Sequence, residues 1–323
     1  PRQRRSTNRP PQLANITLRD YLLQPDGVHL AMAPAFFGFY GYFGALAGME
    51  EALFPAQDNV EHSLLIEHSI LKSVAGASAG AMAAILLAAG ISPIHAAEFC
   101  TSIKLRDFWD FPAWGSVLKG NKFEAIMDKF LSRASPLTEA ENTTTSLNME
   151  DALIPVAVSA FDLQSFQGKL LTQGSMARAA RASACFPLLF QPVGWIDYTG
   201  DNFLFVDGGL ADHAGLAGLE ATTAADTSND QHEHRIINMV VGDFLRNAPG
   251  PLMMPNGLTS SSVLSISIQN LPQCGPWAMA NGPLAVEAAR KAMKQSLDLP
   301  LHLGNEDGHY ELYIDAASFI PAS

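Results

Sequence analysis

The chain has 323 residues and a formal net charge of −12, with 48% hydrophobic and 16% charged residues. Soluble domains average about 25% charged residues, so the apolar excess points to greasy surroundings or a greasy substrate, and the acidic body makes nucleic acid, and strongly anionic bilayers except through the N-terminal arginines, unexpected partners. No apolar run approaches the about 20 residues needed to cross a bilayer, and three scattered cysteines, Cys100, Cys185 and Cys274, give no disulfide framework; a soluble or peripheral protein of the cytoplasm or an organellar lumen is expected, rather than a secreted one.

Residues 1–20 read as a disordered basic tail, rich in proline and polar residues and carrying Arg2, Arg4, Arg5 and Arg9. Residues 21–323 read as one catalytic domain. Strand-like and helix-like segments alternate: a strand over 28–33, a helix over 41–53, a strand over 70–75, then helices over 79–89 and 93–103. A Phe/Trp-rich crossing over 108–117 leads to a helix over 122–131. Polar loops follow over 135–146 and 222–233, the last third adding strands over 235–241 and 263–268, a helix over 284–297 and a strand over 310–314. Such alternation favours an α/β sheet with helices on both faces.

The most informative segment is Gly76-Ala77-Ser78-Ala79-Gly80, set between an apolar strand-like run and an Ala/Leu-rich helical run. A serine at a sharp strand-to-helix turn is lifted clear of the sheet, and Gly76 and Gly80 let the backbones come close. The following helix aims its amide end where negative charge develops in acyl transfer. A second segment, Val206-Asp207-Gly208-Gly209, ends a short apolar strand. An acid there is costly without a partner, and Gly208 and Gly209 allow close approach.

Together these motifs resemble those of the patatin-like phospholipases and lipid acyl hydrolases. Between them, residues 182–193 (ASACFPLLFQPV) resemble that family's "AS, small residues, P, F, P" segment, residues 153–163 its central strand, and residues 44–51 its first helix. The resemblance implies a patatin-like three-layer sandwich with a mostly parallel central sheet. It implies a Ser78/Asp207 dyad without histidine, working through an acyl-enzyme on carboxylic esters of phospholipids, galactolipids or acylglycerols at a membrane or micelle surface, with no cofactor and no metal. One stretch departs from the family. Where the family carries GGG and a nearby basic residue for its oxyanion hole, this chain has Pro34-Ala35-Phe36-Phe37-Gly38. Proline supplies no amide donor, so the backbone amides of Phe36, Phe37, Gly38 and Ala79 are the candidates.

An aspartate with its ordinary pKa of about 3.9 is a weak base for this task, so the site should be apolar enough to raise it. Phe203, Leu204, Phe205, Val206 and Leu210 flank Asp207 in sequence. The rival is a conventional α/β-hydrolase triad, whose chain order Ser78, Asp207, His309 satisfies. His213 reads as a local loop residue, and His232-Glu233-His234 as solvated rather than metal-binding. The aromatic cluster Phe36, Phe37, Phe39, Tyr40, Tyr42 and Phe43 suggests an acyl channel or a membrane-facing mouth. A third reading is a catalytically idle protein that binds lipid, motivated by the altered oxyanion stretch.

Overall fold

The computed structural model describes residues 13–57, 61–111, 115–137, 146–223, 234–242, 258, 262–304 and 308–320. The first half runs β1 (Leu13–Thr17), α1 (Leu18–Leu22), β2 (Val28–Met32), α2 (Phe39–Leu53), α3 (Leu64–Glu67), β3 (Leu71–Ala77), α4 (Ala79–Ala88), α5 (Pro93–Ser102), α6 (Leu105–Phe108) and α7 (Asn121–Ala134). The second half runs β4 (Val156–Asp162), β5 (Gln167–Leu171), α8 (Met176–Ser183), β6 (Val193–Ile196), β7 (Asn202–Asp207), α9 (Leu219–Thr223), β8 (Arg235–Val241), β9 (Ser262–Gln269), α10 (Gly282–Ser296), β10 (Pro300–Leu303) and β11 (His309–Asp315).

The strands of the described residues join one sheet in the order β1-β10-β11-β9-β8-β2-β3-β4-β7-β6, with β5 also on β4. The six strands from β11 to β4 are mutually parallel, and the outer pairings are antiparallel. The expected mixed α/β architecture with a largely parallel centre is what the structure has. Central parallel strands are covered on both faces, which is why β2, with the sequence VHLAM, is buried throughout. Its alternate residues serve different layers: Leu30 and Met32 face the large core with Tyr42 and Leu86, whereas Ala31 meets Ala75, Leu216 and Leu219 on the other side.

Helix α4 is buried along its whole length because it is enclosed by the sheet and by neighbouring helices, so its apolar residues need no polar face. α2 and α10 pack against each other through Gly44 and Gly48, whose missing side chains let the carbonyls of Val286 and Arg290 sit against the α2 backbone.

Several elements carry weak signals and were not expected from periodicity. β1 lies within residues 1–20 and α1 begins there: β1 pairs with β10, and at the start of α1 the Thr17 hydroxyl accepts from the Asp20 amide at 3.1 Å while Asp20 accepts from the Thr17 amide at 3.0 Å. The structured chain thus reaches back at least to Leu13; residues 1–12, with the four arginines, lie outside the described residues. Most of the expected loops over 135–146 and 222–233 lies outside them as well. β5 and β6 are antiparallel additions at one side of the sheet, and α8 is a short Ala/Arg helix started by Ser175, whose hydroxyl accepts from the Arg178 amide.

Candidate active site

β3 and β7 flank β4, so their carboxyl ends bring Ser78 and Asp207 to the same place from 129 residues apart. Ser78 sits between β3 and α4 with φ 53° and ψ −120°, a sparsely populated conformation for a residue with a side chain. Two features hold it there. A Cβ on Gly76 would come within 2.5 Å of the Gly80 backbone, and one on Gly80 would strike the Met32 carbonyl, so both positions need glycine. The Ser78 amide also donates to Ser183 Oγ at 3.0 Å, while the Ser183 hydroxyl donates to the Ser159 carbonyl at 2.6 Å.

The Ser78 hydroxyl donates to Asp207 Oδ2 at 2.7 Å, and the other Asp207 oxygen accepts from the Gly209 amide at 2.8 Å. Asp207 is only 4% exposed. Burial pushes its pKa up to about 6, against the pull of the hydrogen bonds from Ser78 and Gly209. Phe205 and Val206 are buried beside it, but Leu210 is half exposed and does not enclose the acid as its place in the sequence suggested. Gly208 allows close approach to the Ser159 carbonyl, and Gly209 packs on the Pro34 ring.

Beyond the glycines lies Asp212, which accepts from Ser159 Oγ at 2.6 Å and from the amides of Leu216 and Ala217. Ser159, Ser183 and Asp212 were not singled out from sequence. Ser183 lies in the 182–193 segment, but nothing there says that its hydroxyl reaches a residue 105 positions away.

The 34–38 stretch follows β2 and ends at α2. Gly38 is removed from the oxyanion candidates: its amide already donates to the Ala35 carbonyl at 2.7 Å, closing a turn in which Phe37 has φ 52°. Among the described residues, no acceptor takes the amides of Phe36, Phe37 or Ala79. Ala79 opens α4, where first-turn amides have no partner within the helix.

Ser78 and Asp207 lie in a cleft that is open to solvent at its mouth. Phe36, Phe37, Phe39 and Tyr40 line it, joined by residues of α5 to α7 and by Phe186, Leu189 and Phe190; among the described residues no lysine, arginine or histidine does. Tyr42 and Phe43 belong to the core instead.

The histidines lie elsewhere. His309 begins β11, four strands from β3, or about 19 Å at the usual strand spacing, and at the opposite end of the parallel strands from Ser78. His213 is exposed, and His232 and Glu233 lie outside the described residues. Among the described residues no group of three or more His, Cys, Asp or Glu side chains is placed to hold a metal ion, and no helix is long and apolar enough to cross a membrane.

Residues 64–219 match the patatin-like phospholipase family. That span contains both motifs and leaves out the altered 34–38 stretch. The match supports a lipid-hydrolase function. No curated protein matches the chain. Among solved structures, VipD from Legionella pneumophila is similar with a TM-score of 0.52 at 15% identity over 85% of this chain and 67% of that one. The type III effector protein ExoU has a TM-score of 0.42 at 13% identity, over 84% of this chain and 53% of that one. A complex of ExoU with SpcU from Pseudomonas aeruginosa has 0.35 at 14% identity, over 87% and 53%. The chain thus spans about two thirds of VipD and about half of ExoU, and the first likeness is one of fold.

Proposed function

The chain carries a patatin-like phospholipase domain over residues 64–219, and from that premise we propose that it is a serine lipid acyl hydrolase working through Ser78 and Asp207. The observation that carries this reading is the 2.7 Å hydrogen bond from Ser78 to a buried carboxylate inside an otherwise apolar cleft. Asp207 takes the hydroxyl proton as Ser78 Oγ bonds to the ester carbonyl carbon. The ester C–O bond breaks, the proton passes to the departing alkoxide, and the acyl group remains on Ser78. Water then gives a proton to Asp207 as its oxygen attacks the acyl carbon; the fatty acid leaves and the proton returns to Ser78.

The amides of Phe36, Phe37 and Ala79 are the donors for the oxyanion, supported by their lack of other acceptors. Substrates are carboxylic esters of neutral phospholipids, galactolipids or acylglycerols, since the cleft offers an acyl chain apolar walls and, among the described residues, no cation.

One observation favours the second reading, an idle lipid-binding protein: Pro34 has no amide to give and that of Gly38 is taken, so the oxyanion loop has lost two donors. Hydrolysis of p-nitrophenyl esters and mixed phospholipids by the wild type, Ser78→Ala, Asp207→Asn and His309→Ala tests all readings. Loss in the first two variants alone is expected. Loss in His309→Ala with the fold intact means a triad, and no wild-type turnover moves the assignment to the idle protein.

A further inference from the structure

We propose that the rim of the cleft is a docking surface for an anionic phospholipid bilayer, an inference that rests on the lipid-hydrolase reading of the same site. The rim exposes Trp109, Phe111, Leu188 and Trp277, the last three at 84%, 77% and 85% for Phe111, Leu188 and Trp277 in turn. Residues so apolar and so exposed are costly in water when grouped.

Their grouping follows from the backbone. Asp110, between Trp109 and Phe111, accepts from the amides of Lys119, Gly120 and Lys122. Residues 117 and 118 donate in turn to the carbonyls of Leu188 and Leu189. Leu188 has φ 70°, a left-handed conformation that bulky residues rarely adopt. From there Phe186 packs on Phe36 with ring centres 5.3 Å apart, and a Cβ on Gly275 would lie 3.8 Å from the Phe36 ring, which brings in the turn bearing Trp277. Phe36, Phe186 and Leu189 also line the cleft, so the segments that carry the exposed side chains border the path to Ser78.

Charge selects the occupant. In a chain of net charge −12, Lys104, Arg106, Lys119 and Lys122 are all exposed around this rim. Arg106 and Lys122 share one surface depression with Trp109 and Phe111. The facing acids are Asp107, 3.7 Å from Arg106, and Asp110, whose carboxylate is taken up by backbone amides that hold its pKa below the usual range against the effect of burial. Aromatics flanked by cations suit the boundary of a bilayer with anionic head groups, where rings sit among the carbonyls and the cations meet phosphate. A partner protein or a second copy of the chain would gain nothing from the continuity with the cleft.

The test uses Ser78→Ala protein, so that no lipid is consumed, sedimented with phosphatidylcholine vesicles with and without phosphatidylglycerol. Binding is expected to strengthen with phosphatidylglycerol and to weaken with salt. Phe111→Ser with Trp277→Ser should weaken it about tenfold or more, and Arg106→Glu with Lys122→Glu about fivefold or more per charge on the anionic vesicles alone. On the otherwise wild-type protein, both double variants should leave turnover of water-soluble p-nitrophenyl butyrate unchanged, which also shows that they fold. Binding unaffected by either pair, or rim-dependent self-association without vesicle binding, overturns the proposal. Ester turnover without vesicle binding overturns the docking surface and leaves the hydrolase standing; rim-dependent vesicle binding without ester turnover does the reverse.

Discussion

The hydroxyl of Ser78 reaches Asp207 Oδ2 across 2.7 Å, and the two side chains arrive from strands that flank β4 without touching one another. β4 therefore sets the spacing of the pair, and its Ser159 carbonyl stands against both Gly208 and the Ser183 hydroxyl. If the pair performs acyl transfer, Ser78→Ala and Asp207→Asn should each lower kcat by about 10³-fold or more, and the double variant little further, because the two act as a unit. Steady-state kinetics on a p-nitrophenyl ester checks this; additive losses would mean independent roles.

A base works only in its deprotonated form. With Asp207 at about 6, kcat/KM for an uncharged ester should be level above that pH and fall about tenfold for each pH unit below it. A carboxylate in its ordinary range would instead keep full activity down to about pH 4. A pH–rate profile on a substrate without titrating groups distinguishes the two, and the residual activity of Asp207→Asn should lack this limb.

In the proposed reaction Ser183 is a positioning residue, since its hydroxyl meets the Ser78 amide and not the Ser78 hydroxyl. Removing its hydroxyl in Ser183→Ala frees the Ser78 amide and relaxes the elbow, so kcat should fall about tenfold to a hundredfold with KM nearly unchanged. Ser159→Ala supplies the contrast. It keeps the carbonyl that Ser183 uses but takes a hydroxyl donor from buried Asp212, so stability should fall by about 1–3 kcal/mol with kcat near wild type. Kinetics and denaturant unfolding on both variants check the division.

Gly80→Ala sets two effects of opposite sign against each other. Alanine favours a helix over glycine by about 1 kcal/mol, but its Cβ would strike the Met32 carbonyl at the end of β2, where neither backbone has room to move. The clash should win, with a net loss of at least about 2 kcal/mol in urea unfolding and a fall in turnover.

Glu50 on α2 is buried, and its carboxylate accepts from Ser63 Oγ at 2.8 Å and the Leu65 amide at 3.2 Å. Burial still pushes its pKa up to about 7 from 4.5. Because the folded state holds this proton more tightly than the unfolded chain, the carboxyl costs nothing below pH 4.5, costs progressively more as pH rises, and costs its full amount above pH 7. Glu50→Gln should therefore stabilise the protein by about 3 kcal/mol at pH 8 and by little at pH 4, as read by urea unfolding at both values.

Much of this was legible in the chain because the signals are local. The all-apolar strand and helix around Gly76-Ala77-Ser78-Ala79-Gly80 follow from burial on every side, and an Asp-Gly-Gly at a strand end needs close backbones. The segments that went unread, among them β1, β5, β6, β10, α3, α6 and α8, are short and sit where neighbours rather than period decide the conformation. The oxyanion candidates divide in the same way. That Pro34 has no amide is a property of the residue, whereas the loss of Gly38 depends on the turn it closes with Ala35.

By itself, then, the sequence determined the alternating α/β organisation, the elbow serine, the acid and the apolar character of what surrounds them, because covalent geometry and burial act on neighbours in the chain. Only the tertiary structure decided which groups meet. It placed Ser78 against Asp207, left His309 across the sheet, and put Ser183 behind the Ser78 amide. Those relations depend on strand order, and strand order is set by long-range packing that no local pattern encodes.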